Sequence, residues 1–300
     1  MTKTRWIAAD WGTTNLRLWA FDHEGQVSAE RVSDQGMGQL KPDEFERVFI
    51  ELAGDLLGQG PCDVVICGMA GARQGWAEAP YAKVPSAPIA TDGQKVRTND
   101  PRLNVCILPG LSQANPPDVM RGEETQIAGY LKRHPEFQGS ICLPGTHTKW
   151  VRIDAGKVVH FRTFMTGELF ALLSKQSVLR HGIGDGWNSD AFTTAVGDAL
   201  SAPDQLTASL FALRATALVS ELDPDAARAR LSGCLIGAEL AGARPFWQGR
   251  NVVLIGDPSL CAHYSTALGT QSCETEYADA RTMTLAGLAA AHARMTGAEE

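Results

Sequence analysis

Residues 10–15 read Asp-Trp-Gly-Thr-Thr-Asn, a carboxylate followed closely by a glycine and a run of small polar side chains. Gly12 lets the backbone approach a ligand, Thr13, Thr14 and Asn15 offer hydroxyl, amide and backbone donors, and Asp10 can hold a hydrated cation; the set suits a magnesium-bound phosphate. The same residues also suit an ordinary tight turn. A second glycine-threonine turn stands at Gly145-Thr146-His147-Thr148, followed by Lys149. A third turn, Gly256-Asp-Pro-Ser259, leads from an apolar run into a helix start, a place that can hold adenine, ribose or phosphate or can be a plain connection. Between the first two turns, Arg121-Gly-Glu-Glu124 brings paired carboxylates to a predicted helix N-terminus, where they serve either as acid–base groups or as partners of the helix dipole.

These residues need elements to hold them. Apolar alternation predicts strands at 5–10, 15–22 and 26–33, an antiparallel meander whose first turn carries Gly12 to Asn15. Helical spacing over 43–58 and a buried strand at 63–67 complete a β-β-β-α-β order. The passage from Gly68 to Pro117 is rich in Pro and Gly and shows little periodicity apart from 103–108; loops of that length usually carry function. Ile127, Tyr130 and Leu131 share one helical face, which sets Glu123 and Glu124 in that helix's first turn. A strand at 139–143, the Gly145 turn and a hairpin of 149–154 with 157–162 repeat the opening pattern, an approximate internal repeat. From Thr166 the chain turns helical, with helices at 187–200, 205–221 and 226–243, a strand at 251–255, a helix at 260–268, a strand at 274–277 and a closing helix at 279–295. The expected architecture is α/β in two lobes, each a mixed sheet flanked by helices, dividing near 120/121.

Composition narrows the class. Three hundred residues with 44% hydrophobic and 20% charged content describe a globular chain able to bury two cores. A formal charge of −7 argues against a nucleic-acid partner. The polar Met1-Thr-Lys-Thr-Arg5 start and the lack of a long apolar run argue against export and membrane insertion, so a cytoplasmic chain is expected. Seven cysteines without a Cys-x-x-Cys pair read as buried thiols rather than as zinc or redox chemistry.

In combination, Asp10-x-Gly-Thr-Thr-Asn15, Gly145-Thr-His-Thr148 and the late Leu-Ile-Gly256 turn resemble the two phosphate motifs and the adenosine motif of the actin-like ATPase (ribonuclease H-like) and sugar-kinase superfamily. Longer segments, Gly68-Met-Ala-Gly-Ala-Arg73-Gln-Gly-Trp76, Met120-Arg-Gly-Glu-Glu-Thr-Gln126, Leu143-Pro-Gly-Thr-His-Thr-Lys-Trp150 and Phe164-Met-Thr-Gly-Glu-Leu-Phe170, are similar to the 2-dehydro-3-deoxygalactonokinase family over essentially the whole chain. The resemblance implies transfer of the ATP γ-phosphate to the 6-hydroxyl of 2-dehydro-3-deoxy-D-galactonate, with ATP and Mg2+ as cofactors, a small sugar acid as partner, and a homodimer allowed. One departure stands out: the superfamily's second phosphate hairpin commonly begins with Asp, and here Leu143-Pro144 occupies that place, so metal binding rests on Asp10.

On this reading Gly12, Thr13, Thr14 and Asn15 face Gly145, Thr146 and Thr148 across the phosphates, and Gly256 and Ser259 take the adenosine. Glu124 is the expected base, because Arg-Gly-Glu-Glu-Thr is similar to the Gly-x-Glu-Glu-Ala segment of exopolyphosphatases of this fold; Asp10 is its rival. Arg73 and Arg162 are favoured to meet the substrate carboxylate over Arg121, and His147, Lys149, Thr166 and Glu168 are expected around the sugar. No Gly-x-x-x-x-Gly-Lys-Ser/Thr run is present, so a P-loop is excluded. A phosphohydrolase of the same fold and a nucleotide or sugar sensor are the competing functions, and Asp10 with Glu124 argues against a sensor.

Overall fold

The computed structural model describes residues 4–89, 93–220 and 222–297. The alternation at the start folds as read: β1 (Trp6–Trp11), β2 (Leu16–Phe21) and β3 (Val27–Ser33) form the antiparallel meander, followed by α1 (Phe45–Ala53) and by β4 (Cys62–Gly68), parallel to β1. Strand β1 is buried on both faces. Ile7, Ala9 and Trp11 join Phe45 and Phe49 in one core, while Trp6 and Ala8 join a second core on the other side of the sheet. The Pro/Gly-rich passage holds β5 (Tyr81–Lys83), β6 (Gln94–Val96), β7 (Leu103–Ile107), β8 (Gly110–Ala114) and β9 (Pro117–Met120); β7 and β6 extend the main sheet to the order β3-β2-β1-β4-β7-β6, and the rest make a small sheet β5-β8-β9. Apart from β7, these strands are too short and irregular to give a periodic signal. Helix α2 (Glu123–Arg133) follows.

The pattern then repeats. Strands β10 (Gly139–Leu143), β11 (Thr148–Asp154) and β12 (Lys157–Phe164) form another meander; helices α3 (Thr166–Lys175), α4 (Ser189–Ser201), α5 (Leu206–Val219), α6 (Pro224–Gly242) and α7 (Arg244–Trp247) precede β13 (Val252–Gly256), α8 (Pro258–Gly269) and β14 (Thr275–Asp279). The sheet order β12-β11-β10-β13-β14 reproduces β3-β2-β1-β4-β7, with antiparallel neighbours on the meander side and parallel β10–β13 and β13–β14 pairs. The internal repeat is therefore one of topology. Helix α6 lies so close to α4 that a Cβ on Gly233 would meet Phe192 O at 2.5 Å and one on Gly237 would meet Val196 O at 2.5 Å.

The closing helix, α9 (Ala280–Thr296), belongs with the first sheet. The chain separates into two compact units, one of residues up to Phe137 with 154–160 and the stretch from Ala280 onward, the other of Gln138–Ile153 and Phe161–Asp279. That division differs from the break expected at 120/121. Its cause is the packing of α2 on α9: added Cβ atoms on Gly129 and Gly287 would meet Met283 O at 1.9 Å and Thr125 O at 2.0 Å, so only glycine permits the crossing. This crossing carries the Glu123–Glu124 pair into the first unit. All seven cysteines are free thiols and six are buried, as expected. Residues 1–3 of the polar start, residues 90–92 of the long passage and residue 221, the expected end of a helix, lie outside the described residues.

Candidate active site

Asp10 is the penultimate residue of β1, opposite Cys67 of β4 in the register of the sheet. The residue is partly buried, with Cys67 Sγ 3.7 Å from Oδ1. Burial raises its pKa, against the attraction of Arg17 and the Cys67 contact, and Glu123 raises it further. Cys67 is itself held well above the usual thiol range by burial and by the carboxylates of Asp10 and Glu124, so it stays protonated and can donate. The Asp10 corner depends on Gly68, whose φ of 89° and whose place 2.7 Å from Trp11 O, measured to an added Cβ, exclude a side chain.

Gly12 to Asn15 form the tip of the β1–β2 hairpin, with Thr13, Thr14 and Asn15 exposed. A second segment underpins it. Gly36 N donates to Thr14 O at 3.2 Å, Met37 N to Gly12 O at 3.0 Å and Gly38 N to Thr13 O at 2.8 Å. With its carbonyls engaged this way, the tip keeps its hydroxyls and side-chain amide on the solvent side.

The carboxyl pair at α2 divides into two environments. Glu123 is partly exposed and accepts from Arg121 N at 3.1 Å. Glu124, the expected base, is wholly buried; it accepts from Gly122 N at 2.7 Å and from Thr125 Oγ1 at 3.2 Å. Burial first, and then the charge of Glu123, lift its pKa to about 8. Of the two candidates for the base, Asp10 is the one with exposed surface.

In the second unit, the turn between β10 and β11 presents Gly145, Thr146 and His147. An added Cβ on Gly167 would lie 2.2 Å from Gly145 O, and Glu168 N donates to Thr146 O at 2.9 Å, so the first turn of α3 sits directly on this hairpin. His147 Nε2 and Glu168 Oε2 approach to 2.5 Å, which brings two expected sugar-site residues together. Three further expected site residues, Thr148, Lys149 and Thr166, have their side chains engaged within the protein, and Thr166 also lines the cavity beside the hairpin. Thr148 is buried with its hydroxyl on Tyr264 Oη at 3.0 Å, Lys149 is buried with Nζ donating to His147 O at 3.0 Å, and Thr166 is buried with its hydroxyl donating to Glu239. Strand β11 is buried on both faces from Thr148 to Val151, and Thr166 is buried at the start of α3.

Beside this hairpin lies a cavity of about 370 Å³, lined by Gly145 and Thr146, the start of α3, Trp187, Arg228 and Ser232 of α6, and Ser259 and His263 of α8. Trp187 and His263 stack with ring centroids 3.9 Å apart, and burial together with Arg228 lowers the His263 pKa, which keeps the imidazole neutral near pH 7. Gly256 packs so that an added Cβ would be 3.2 Å from Pro144 O. The helix start beside it is already capped: Asp257 Oδ1 accepts from Ser259 N at 3.0 Å, Leu260 N at 3.1 Å and Ser259 Oγ at 2.5 Å. A carboxylate on these amides leaves that turn better suited to an uncharged nucleoside than to phosphate.

A family model for 2-keto-3-deoxy-galactonokinase matches residues 10–291. The chain belongs to this family. It is 36% identical to the 2-dehydro-3-deoxygalactonokinase of Escherichia coli K12 over 274 residues, 90% of this chain and 91% of that protein. A crystal structure of a Sinorhizobium meliloti protein assigned as a 2-dehydro-3-deoxygalactonokinase superposes with a TM-score of 0.89 at 39% identity, covering 97% of this chain and 99% of that one. The activator of the 2-hydroxyisocaproyl-CoA dehydratase from Clostridium difficile, at 14% identity and a TM-score of 0.53, covers 98% of this chain and 96% of that one and shares the fold alone. Membership makes the chain an ATP-dependent carbohydrate kinase on the two-lobed actin-like fold.

Within this kinase frame the cationic residues sort by exposure. Arg73 is exposed, 3.8 Å from Glu78, and Arg162 is exposed and unpaired among the described residues. Arg121 is buried, donating to Ala79 O at 2.8 Å with its guanidinium over the Tyr81 ring, and so braces the passage after β4. Among the described residues no group of three or more His, Cys, Asp or Glu side chains is gathered to hold a metal ion, and no helix is long and apolar enough to cross a membrane. Sequence reasoning missed Gly36 to Gly38, Trp187, Arg228, His263, Tyr264 and Glu239. Only Glu239 left a signal, as the single acid in the apolar stretch Leu231-Ser-Gly-Cys-Leu-Ile-Gly-Ala-Glu-Leu240.

Proposed function

We propose that this protein transfers the γ-phosphate of ATP to the 6-hydroxyl of 2-dehydro-3-deoxy-D-galactonate, giving the 6-phospho acid used in galactonate breakdown. The family match over residues 10–291, which spans both hairpins and the α8 turn, carries this reading. The second unit would receive ATP: the nucleoside in the 370 Å³ cavity, with the backbone of Gly145 and Thr146 toward the phosphates. In the first unit, Thr13, Thr14 and Asn15 keep exposed hydroxyls and an amide suited to phosphate oxygens, and Asp10 is the group suited to take the proton of the attacking hydroxyl. A carboxyl with a raised pKa is a better acceptor for that proton, and a loose phosphoryl transition state asks little more of it. Glu124, buried beneath this corner, holds Gly122 and the start of α2 in place rather than touching the substrate.

A magnesium ion fits a site with one available carboxylate, because Mg2+ keeps several waters and takes phosphate oxygens as ligands. Asp10 would hold it through water, and the ion would neutralise phosphate charge. Arg73 and Arg162 are exposed guanidinium groups suited to a carboxylate, and His147 with Glu168 suits sugar hydroxyls. Work on a metabolite at the expense of ATP assigns the protein to the cytoplasm.

The test is ADP formation from Mg-ATP with 2-dehydro-3-deoxy-D-galactonate, with its gluconate epimer, and with no sugar, using Asp10→Ala as control. ADP release that requires the galactonate-derived acid supports the kinase. Equal release without sugar would overturn it in favour of a hydrolase.

A further inference from the structure

The buried carboxylate of Glu239 joins three separate walls of the cavity. It stands on α6 seven residues after Ser232 and four after Leu235, both cavity-lining, so it continues the same face of the helix inward. Its Oε1 accepts from Trp150 Nε1 at 2.8 Å, and its Oε2 accepts from Tyr264 Oη at 2.8 Å and from the hydroxyl of Thr166. With its proton committed to Glu239, Tyr264 Oη accepts in turn from Thr148 Oγ1 at 3.0 Å. Trp150 and Thr148 belong to β11, Thr166 opens α3, and Tyr264 lies on α8. Those are the elements that place the Gly145–Thr146 turn, the Gly167 contact and His263 around the cavity.

We infer that Glu239 is a positioning residue for the nucleotide: one buried acceptor that fixes the β10–β11 hairpin, α3 and α8 at the spacing ATP requires. The inference rests on the reading of this cavity as the nucleoside site. A ring of three donors suits an acceptor-only centre, and a carboxylate in its ionised form is the side chain of this size that accepts from all of them; those hydrogen bonds act against burial, which lifts its pKa to about 7. Glutamine would turn its oxygen to Trp150, whose N–H can only donate, and would force the hydroxyls of Thr166 and Tyr264 to accept from its amide. For packing alone, an apolar residue of similar volume would serve at lower cost, since a buried carboxylate carries a desolvation penalty. The connection to the ligand is short. Thr166 precedes Gly167, which packs on Gly145 O, and Glu168, whose N–H holds Thr146 O, so a displaced Thr166 carries the turn with it.

The experiment compares wild type with Glu239→Gln, Thr166→Val and Tyr264→Phe, measuring ADP binding by calorimetry, KM for ATP and for the sugar acid separately, and thermal unfolding. Glu239→Gln is expected to weaken ADP binding and raise KM for ATP about tenfold or more, the value of one hydrogen bond to a charged group, with a smaller rise in KM for the sugar acid because His147 and Glu168 ride on the same turn and helix start. The two single-donor variants should show the same split in smaller measure. If Glu239→Gln folds and binds ADP as wild type does, or if KM for the sugar acid rises as much as KM for ATP or more, the inference is overturned. Should Glu239→Gln fail to fold, wild-type ADP binding by both donor variants overturns it equally. Failure of the kinase reading looks different: wild type itself would neither bind ADP nor turn over the sugar acid.

Discussion

His147 Nε2 stands 2.5 Å from Glu168 Oε2, fastening the exposed tip of the second hairpin to the first turn of α3. Both side chains keep more than a third of their surface in solvent, so the pair contributes less than about 1 kcal/mol to stability. Their value lies in a fixed pair of polar atoms offered to a polyhydroxylated ligand. His147→Ala and Glu168→Gln should leave the urea midpoint nearly unchanged while raising KM for the sugar acid; an unchanged KM in both variants would remove them from the sugar site.

Replacing Asp10 separates chemistry from nucleotide binding. Asp10→Asn keeps the shape of the corner and removes the proton acceptor, so kcat should fall by about 10²–10⁴. ADP affinity, supplied by the second unit, should stay within a few-fold. A Glu124→Gln variant with the larger loss would return the role of base to Glu124. Steady-state kinetics with calorimetric ADP titration distinguishes the two.

Glu124 also predicts a pH dependence of stability. Its carboxyl titrates near 8 in the folded chain and near its ordinary 4.5 when unfolded, because burial and Glu123 penalise the charged form. The folded state thus holds a proton that the unfolded state has lost. Its contribution is fully present below the unfolded value and is lost as pH rises through the folded one. Relative to Glu124→Gln, wild type should lose unfolding free energy between pH 5 and 8 with a slope of up to about 1.4 kcal/mol per pH unit. Urea titrations of both proteins at several pH values measure that difference, and parallel curves would refute the raised pKa.

The support beneath the first hairpin is open to a single methyl group. In Gly36→Ala the new Cβ would stand 2.3 Å from the carbonyl carbon of Thr14 and 2.4 Å from Thr13 O, so the two segments must part. A loss of about 1–3 kcal/mol is expected, together with lower kcat, as Thr13 and Thr14 shift. Gly12→Ala is the contrasting case: its Cβ would meet only Asn15 O, at 3.5 Å. A Gly36→Ala protein as stable and active as wild type would show that the hairpin tip needs no such support.

Much of this molecule was legible before its structure. Period-two alternation and turn chemistry are local properties, so the two meanders, the Gly12–Asn15 and Gly145–His147 turns and the helices α4, α5, α6, α8 and α9 followed from neighbouring residues alone. The strands between Gly68 and Pro117 did not, apart from β7, because they are short and their pairing is supplied by partners elsewhere.

The sequence by itself determined the opening β-β-β-α-β order, the second strand–turn–hairpin that echoes it, a carboxylate at the first hairpin and membership of a sugar-kinase family, since each is written in contiguous motifs. Tertiary structure alone decided which of those residues are buried and which keep exposed surface. Glu124 is buried at the start of α2, and the hydroxyls of Thr148 and Thr166 are taken up by Tyr264 and Glu239. Residues 150, 166, 239 and 264 converge on one buried point only after β11, α3, α6 and α8 have packed, and burial, which sets both the pKa values and the availability of each donor, is a property of that packing.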